Sequence, residues 1–556
     1  MNRLAYFVLF LLVTFSINVS AQLFTRTAEI KEPSGLERGF GGVIAGVDFD
    51  QDGLPEIYAC NTNMVDGNYE VIPRLYKFEW NLTTSTWDSV WGAVAPVALV
   101  ELQNTWPGFT SGDLDNDGKP EIIWGPVNFF NTILNPARVL VYEYPGDGSD
   151  NMGVFDGVGG FDPNAYTTIV GDNSFNTRPV RFVVADPDND GTDELIYCDR
   201  VASDYHFGVL SVDDIPDNGG GLETWTLEFS GYQDINLSGS GAKWDVAVVD
   251  NYIYTFDGNL TDGSKVWAAK YTSSGWETFP GQSGIAGGNS SFKGAQVVDV
   301  NNDGTKEVVV AEWLGNTVGQ GAKVWLLQAS GDTLLSYEIA NLETLGAVRL
   351  NGSAHGDLDG DGNVDFVFGS RYDANNTAKV PIFRLEYQGG DITSAANYTA
   401  SIIDSAYWTA NGDMDVIYVA NVDGDPEDEA MYTQGYSRGN ANDDPMPLIV
   451  LDLQFTPVSV EKENDLVPAQ FYLDQNFPNP FNPSTLIKFG ITEATNVNLT
   501  VYDALGREVA VLVNNEYMNA GAYNIKFNAS NLASGIYIYK LTAGANSVSK
   551  KMQLLK

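Results

Sequence analysis

One nine-residue acidic pattern returns six times along the chain. It reads DFDQDGLPE from Asp48, DLDNDGKPE from Asp113, DPDNDGTDE from Asp186, DVNNDGTKE from Asp299, DLDGDGNVD from Asp357 and NVDGDPEDE from Asn421. Side chains at positions 1, 3 and 5 converge on one point when the backbone curls around an ion, and an acid at position 9 closes the shell. The candidate metal ligands are therefore Asp48, Asp50, Asp52 and Glu56; Asp113, Asp115, Asp117 and Glu121; Asp186, Asp188, Asp190 and Glu194; Asp299, Asn301, Asp303 and Glu307; Asp357, Asp359, Asp361 and Asp365; and Asn421, Asp423, Asp425 and Glu429. Position 6 is Gly in five of the six copies, as a sharp turn with positive φ favours. A hard, all-oxygen cage suits calcium better than zinc or copper, and about five to six Ca²⁺ sites are expected. Without an ion, each close pair of carboxylates repels by about 1–4 kcal/mol. Asn301 leaves three acids in its loop, while Asn421 and Pro426 make the last loop the weakest of the set.

The remaining composition narrows the chemistry. There are 73 acidic and 30 basic residues, a formal net charge of −43, which sets the chain against nucleic acid and anionic membrane surfaces as partners. Only two histidines occur, His206 and His355, so imidazole catalysis and multi-His metal sites are nearly excluded. No nucleophile elbow, metalloprotease motif or phosphate loop is found. No catalytic or organic-cofactor residue is assigned, and the chain is expected not to be an enzyme.

The elements that must carry these loops are strands. Successive acidic copies start 65, 73, 113, 58 and 64 residues apart, and the double interval holds a unit without the motif, KWDVAVVDNYIYTFDGN from Lys243. Each unit has a small, apolar run before the loop, such as GGVIAGV from Gly41, and a short hydrophobic strand after it, such as EIIWG from Glu121. Two alternating stretches follow, such as RLYKFEW from Arg74 and TWDSVWG from Thr86. Four strands per unit and seven units imply an all-β, seven-bladed β-propeller over residues 22–456. The last unit lacks a fourth strand before the next domain, and LFTRTAEI (Leu23 to Ile30) is expected to supply it. Cys60 and Cys198 occupy equivalent positions in non-adjacent units, too far apart to pair.

These loops and their strand frame resemble the FG-GAP/VCBS repeat family, also found in the integrin α-subunit propeller. The resemblance, over about residues 40–456, implies calcium loops between the first two strands of a blade. It implies no calcium in the fourth unit, which lacks the pattern.

Both ends of the chain read as export signals. Residues 1–21 have the charge, apolar run and Val19-Ser20-Ala21 cleavage site of a signal peptide, and no later segment is apolar enough to span a bilayer. Residues 457–470 are polar and read as a linker. Residues 471–556 carry several short alternating strands and suit a small Ig-like β-sandwich. Pro478-Asn479-Pro480-Phe481-Asn482-Pro483-Ser484-Thr485, Gly521-Ala522-Tyr523, Gly535-Ile536-Tyr537 and the terminal lysines make this segment similar to the type A sorting domain of the type IX secretion system. That resemblance implies the secretion machinery as a partner, periplasmic transit, and a secreted or outer-surface destination. The expected function is a monomeric, calcium-binding surface propeller for adhesion to a protein or polysaccharide. A polysaccharide-active enzyme and a structural coat protein are the alternatives.

Overall fold

The computed structural model describes residues 23–555, with breaks at 34–38, 62–71, 128–135, 170–176, 201–206, 231–242, 258–264, 284–291, 314–320, 371–378, 408–415 and 434–446 and shorter breaks of three residues or fewer. The signal-peptide segment lies outside the described residues. Two compact units are present, Phe24–Leu453 and Gln454–Lys556.

The first unit is a ring of four-stranded antiparallel sheets. Among the described residues, seven such sheets follow one another along the chain. Their first strands are Phe40–Val47, Gly108–Gly112, Pro179–Ala185, Lys243–Val249, Phe292–Val298, Leu350–Gly356 and Ile417–Ala420. Each first strand adjoins the first strand of the next sheet, and the last adjoins the first, so the ring is closed. We number these sheets blades 1 to 7 in that order.

Burial explains why the strands differ in composition. The second strand of each blade is covered on both faces by neighbouring blades, so EIYACN (Glu56–Asn61), EIIWG (Glu121–Gly125) and EVVVAE (Glu307–Glu312) are buried throughout and read as continuous rather than alternating runs. The outer strand Thr86–Val94 has only two buried residues and keeps polar side chains on its open face. Inner strands carry small residues because neighbouring blades converge there. A Cβ at Gly42 would lie 2.7 Å from Phe109, and one at Gly112 would lie 2.6 Å from Val184. Cys60 and Cys198 sit fully buried in the second strands of blades 1 and 3, and neither is in a disulfide.

The chain ends of the ring share one sheet. Leu23–Ile30 is the outermost strand of blade 7, beside Leu448–Gln454. A polar clasp fastens it to blade 6. Arg26 Nε donates to Asp404 at 2.8 Å, its Nη2 donates to Tyr432 Oη at 3.1 Å, and Tyr432 in turn donates to Asp404 at 2.6 Å.

The second unit is a sandwich of two four-stranded sheets. Val458–Asn464 is a strand paired with Gly521–Asn528, so half of the stretch expected to be a linker belongs to a sheet. Its polar sequence, VSVEKEN, hid it, because an edge strand need not carry a strong apolar run. Leu499, Tyr539, Leu541, Ile487 and Ile525 fill the core between the sheets. The proline-rich motif is held by buried hydrogen bonds. Asn476 N–H donates to Tyr539 Oη at 2.8 Å, and its Nδ2 donates to Thr485 Oγ1 at 2.9 Å and to the Pro478 carbonyl at 3.1 Å. Phe481 inserts into the core at 2% exposure. No helix among the described residues is long and apolar enough to cross a membrane.

Two stability outcomes follow from these contacts. Arg26→Ala, which breaks a charge-assisted clasp that is only partly shielded from water, is expected to lower unfolding free energy by about 1–2 kcal/mol in denaturant titration. Asn476→Ala leaves buried partners unsatisfied and is expected to destabilise the isolated melting transition of the sandwich by about 1–3 kcal/mol, read by calorimetry.

Candidate metal centres

Every acidic loop joins the first strand of a blade to the second, so all of them lie on one rim of the ring. Their local geometry repeats. The Asp at position 1 accepts from the backbone N–H groups of positions 5 and 6: Asp48 from Asp52 and Gly53, each at 3.1 Å, and Asp186 from Asp190 at 3.1 Å and Gly191 at 3.0 Å. Position 5 accepts from position 7, as Asp117 does from Lys119 at 2.8 Å and Asp361 from Asn363 at 2.8 Å. These turns bring the carboxylates of alternate residues to the inside of the curl.

Two backbone positions, not one, require the left-handed region. Position 6 has φ of 90°, 88°, 95°, 90° and 84° at Gly53, Gly118, Gly191, Gly304 and Gly362. Position 4 has φ of 61°, 59°, 64°, 58° and 65° at Gln51, Asn116, Asn189, Asn302 and Gly360. Asn tolerates this conformation better than most residues, which accounts for its recurrence at position 4. Sequence reading singled out the glycine and missed this second requirement, although the Asn/Gly column was visible in it.

Position 9 opens the second strand and is deeply buried: Glu56 is 0% exposed, Glu121 0%, Glu194 2%, Glu307 1%, Asp365 1% and Glu429 1%. In most loops it accepts from the backbone N–H of position 2, as Glu56 does from Phe49 at 3.1 Å, Glu307 from Val300 at 3.2 Å and Glu429 from Val422 at 2.7 Å. Blade 3 differs because position 2 is Pro187, which has no N–H to give. Glu194 Oε2 is left buried without a hydrogen-bond partner among the described residues.

The carboxylates do converge. Oxygens of Asp186, Asp188, Asp190 and Glu194 lie within 4.8 Å of one another, as do those of Asp48, Asp50 and Glu56, and of Asp113, Asp115 and Glu121. Oxygens ligating one calcium ion at about 2.4 Å are at most about 4.8 Å apart, so the blade 2 and blade 3 groups fit a hard divalent cation, whereas Lys77 already lies among those of blade 1. The orphaned Glu194 oxygen points the same way. Burial, followed by repulsion from Asp188, Glu228, Asp190 and Asp186, pushes Glu194 up to about 9. Burial likewise pushes Glu121 up to about 9 and Glu143 up to about 8, with Asp115 repelling both.

The other loops are less uniform. In blade 5 Asn301 Nδ2 donates to Asp303 at 3.0 Å, and Gln328 donates to Glu307 at 3.3 Å. In blade 6 Asp357, Asp359, Asp361 and Asp365 are all in place, with Asp365 bonded to Arg384 at 2.7 Å. In blade 1 Lys77 reaches Asp50 at 2.6 Å and Glu56 at 2.7 Å. In blade 7 Asn421, Asp423 and Glu429 are described, and Asp425 lies outside the described residues. Blade 4 replaces the loop with a tight turn, Val249 facing Tyr252 across Asp250 and Asn251. Lys77 and Arg384 were not singled out from sequence. The sequence offered only a cation between two apolar residues, Lys77 between Tyr76 and Phe78 and Arg384 between Phe383 and Leu385.

Residues 48–124 match an FG-GAP-like repeat, and residues 475–554 match a secretion system C-terminal sorting domain. Residues 48–124 thus carry an FG-GAP-like repeat within the propeller, and residues 475–554 are a secretion sorting domain. That sorting domain marks a secreted or outer-surface protein. No curated protein is similar to the chain along its sequence.

Among solved structures, the NanB sialidase from Streptococcus pneumoniae is 10% identical, with 78% of this chain and 70% of that one covered at a TM-score of 0.36. An exo-β-1,3-galactanase from Clostridium thermocellum is 11% identical over 94% and 99% of the two chains at 0.31. A putative exo-β-1,3-galactanase from Bifidobacterium bifidum is 13% identical over 57% and 97% at 0.29. These neighbours are named as enzymes, and the expectation that this chain is not an enzyme is withdrawn.

The raised carboxyls set a pH dependence. In the metal-free form Glu121, Glu143 and Glu194 hold protons that the unfolded chain releases above its ordinary value of about 4.5. Their contribution to stability is therefore full below about pH 4.5 and is lost as pH rises towards 8–9. In chelator, the melting temperature is expected to fall between pH 5 and pH 9. If calcium fills these sites it replaces those protons, and in millimolar calcium the fall should be abolished or reversed.

Proposed function

We propose that this protein is a calcium-stiffened β-propeller, displayed on or released from the cell surface, that binds an extracellular polysaccharide or protein. The observation that carries the reading is the blade 3 loop: four carboxylates converge there, one of them buried with an unpartnered oxygen. Such a group needs either a proton or a cation, and outside a cell at neutral pH calcium is the hard cation that suits an all-oxygen cage. Asp186, Asp188, Asp190 and Glu194 would hold the ion, which would supply charge compensation and lock the turn. The protein's own residues do the rest: the backbone N–H bonds to positions 1 and 5 shape each turn, and the buried second strand fixes the closing acid.

A stiff rim keeps the loops of a propeller in one conformation, which lowers the entropy lost on binding a partner. The sorting domain supports a place of action outside the cell, where polysaccharides and surface proteins are the abundant partners.

The full mature chain should contain several equivalents of calcium by mass spectrometry. Its melting temperature should drop by 10 °C or more on chelation, about what the loss of several tight ions predicts. A calcium-free chain with an unchanged melt would refute the metal reading. Binding is tested on a panel of neutral and acidic polysaccharides by affinity electrophoresis with product analysis in parallel. Retardation without cleavage would support a binding protein, and release of new reducing ends would make the protein a polysaccharide-active enzyme.

A further inference from the structure

Blades 1 and 6 differ from blades 2, 3 and 5 in one respect. A cationic side chain from the third strand lies inside their acidic loops. Lys77 Nζ is 2.6 Å from Asp50 at position 3 and 2.7 Å from Glu56 at position 9, with Glu79 at 2.7 Å and Asp150 at 2.9 Å completing its shell. Arg384 makes the same two contacts in blade 6. It lies 2.7 Å from Asp359 at position 3, and its Nε and Nη2 grip Asp365 at position 9 at 2.7 Å and 2.9 Å.

The two cations occupy one register. Lys77 faces Tyr58 and Arg384 faces Val367, in each case two residues into the second strand from the closing acid. At the equivalent position blade 2 has Val141, blade 3 Val209 and blade 5 Leu326. The Lys77 and Arg384 side chains are 1% and 2% exposed, so neither can swing into water without opening its sheet. Burial works against charge on both, and the bonded carboxylates outweigh it, so both are held in the protonated form. In blade 2, by contrast, Lys119 is more exposed and pairs with Asp117, Glu143 and Asp217 rather than with positions 1, 3 or 9.

A fixed ammonium or guanidinium on the closing carboxylate takes the lone pairs a metal would need and repels a second cation beside it. We propose that Lys77 and Arg384 are resident counter-ions that replace the metal in blades 1 and 6, so that calcium dependence is confined to blades 2, 3 and 5 among the loops described in full. This rests on the calcium reading of the loops and divides it. Blades 6, 7 and 1 are consecutive around the ring and include the seam where the chain ends meet. That seam is thereby held by the Arg26–Asp404 clasp and by internal cations, and the metal-dependent sector lies opposite.

The test is an ion count on the full mature chain, equilibrated with calcium, desalted and measured by plasma mass spectrometry. Asp186→Asn is expected to lose one ion per chain, and Asp48→Asn and Asp357→Asn none. Loss of an ion from either of the latter two, alongside the loss from Asp186→Asn, would overturn the inference and leave the calcium reading intact. A wild-type chain with no calcium would remove both. As a second reading, Lys77→Met should melt below wild type in chelator, with the gap narrowed and one ion gained in millimolar calcium. A gap of equal size in both conditions, with no ion gained, would also overturn it.

Discussion

A carboxylate buried at the foot of the second strand is the constraint around which each loop-bearing blade is built. Six of these acids are at most 2% exposed. A charge so placed is costly unless something compensates it, and the fold supplies compensation in three ways: a backbone N–H from position 2, a cation from the third strand, or a cage shaped for a divalent ion. The acid must be where it is because it ties the loop to the strand that follows. Remove it and the turn loses its anchor; leave it uncompensated and the blade loses its reason to close.

This view accounts for the variation between blades. Blade 1 uses an N–H and a lysine, and blade 6 an N–H and an arginine. Blade 5 adds a neutral amide, Gln328, where its loop has already given up one acid at Asn301. Blade 3, with proline where the N–H should be, has neither donor nor internal cation among the described residues and keeps all four carboxylates together. Blade 4 drops the loop and the acid at once, which is consistent, since a tight turn needs no anchor.

Much of this was legible in the sequence. Six copies of one acidic pattern at blade-like intervals, each followed by an apolar run, betray loops and second strands because both are local features with fixed residue chemistry. The sorting domain was equally readable, since its proline-rich motif and paired Gly-aromatic strands are held by side chains such as Asn476, Thr485 and Phe481. Less legible were features that depend on pairing across the sheet. Lys77 and Arg384 enter the loops only because the third strand is registered two residues past the closing acid, and nothing local announces that register. Pro187 was visible as a letter, but its effect on Glu194 appears only when the other loops show the N–H it lacks. Val458–Asn464 was taken for a linker because its partner strand lies some sixty residues further on.

The placement of the ring's last strand also has a mechanical meaning. Leu448–Gln454 is the ring's last strand in chain order before the sorting domain, and it is hydrogen-bonded on both sides, to Glu429–Thr433 and to Leu23–Ile30. Any pull transmitted along the chain from the sorting domain enters the ring at this strand. An edge strand under such a load could be peeled away one bond pair at a time. A strand flanked by two ladders must break both, and the N-terminal strand, by covering what would otherwise be an edge, turns the closure of the ring into its strain relief.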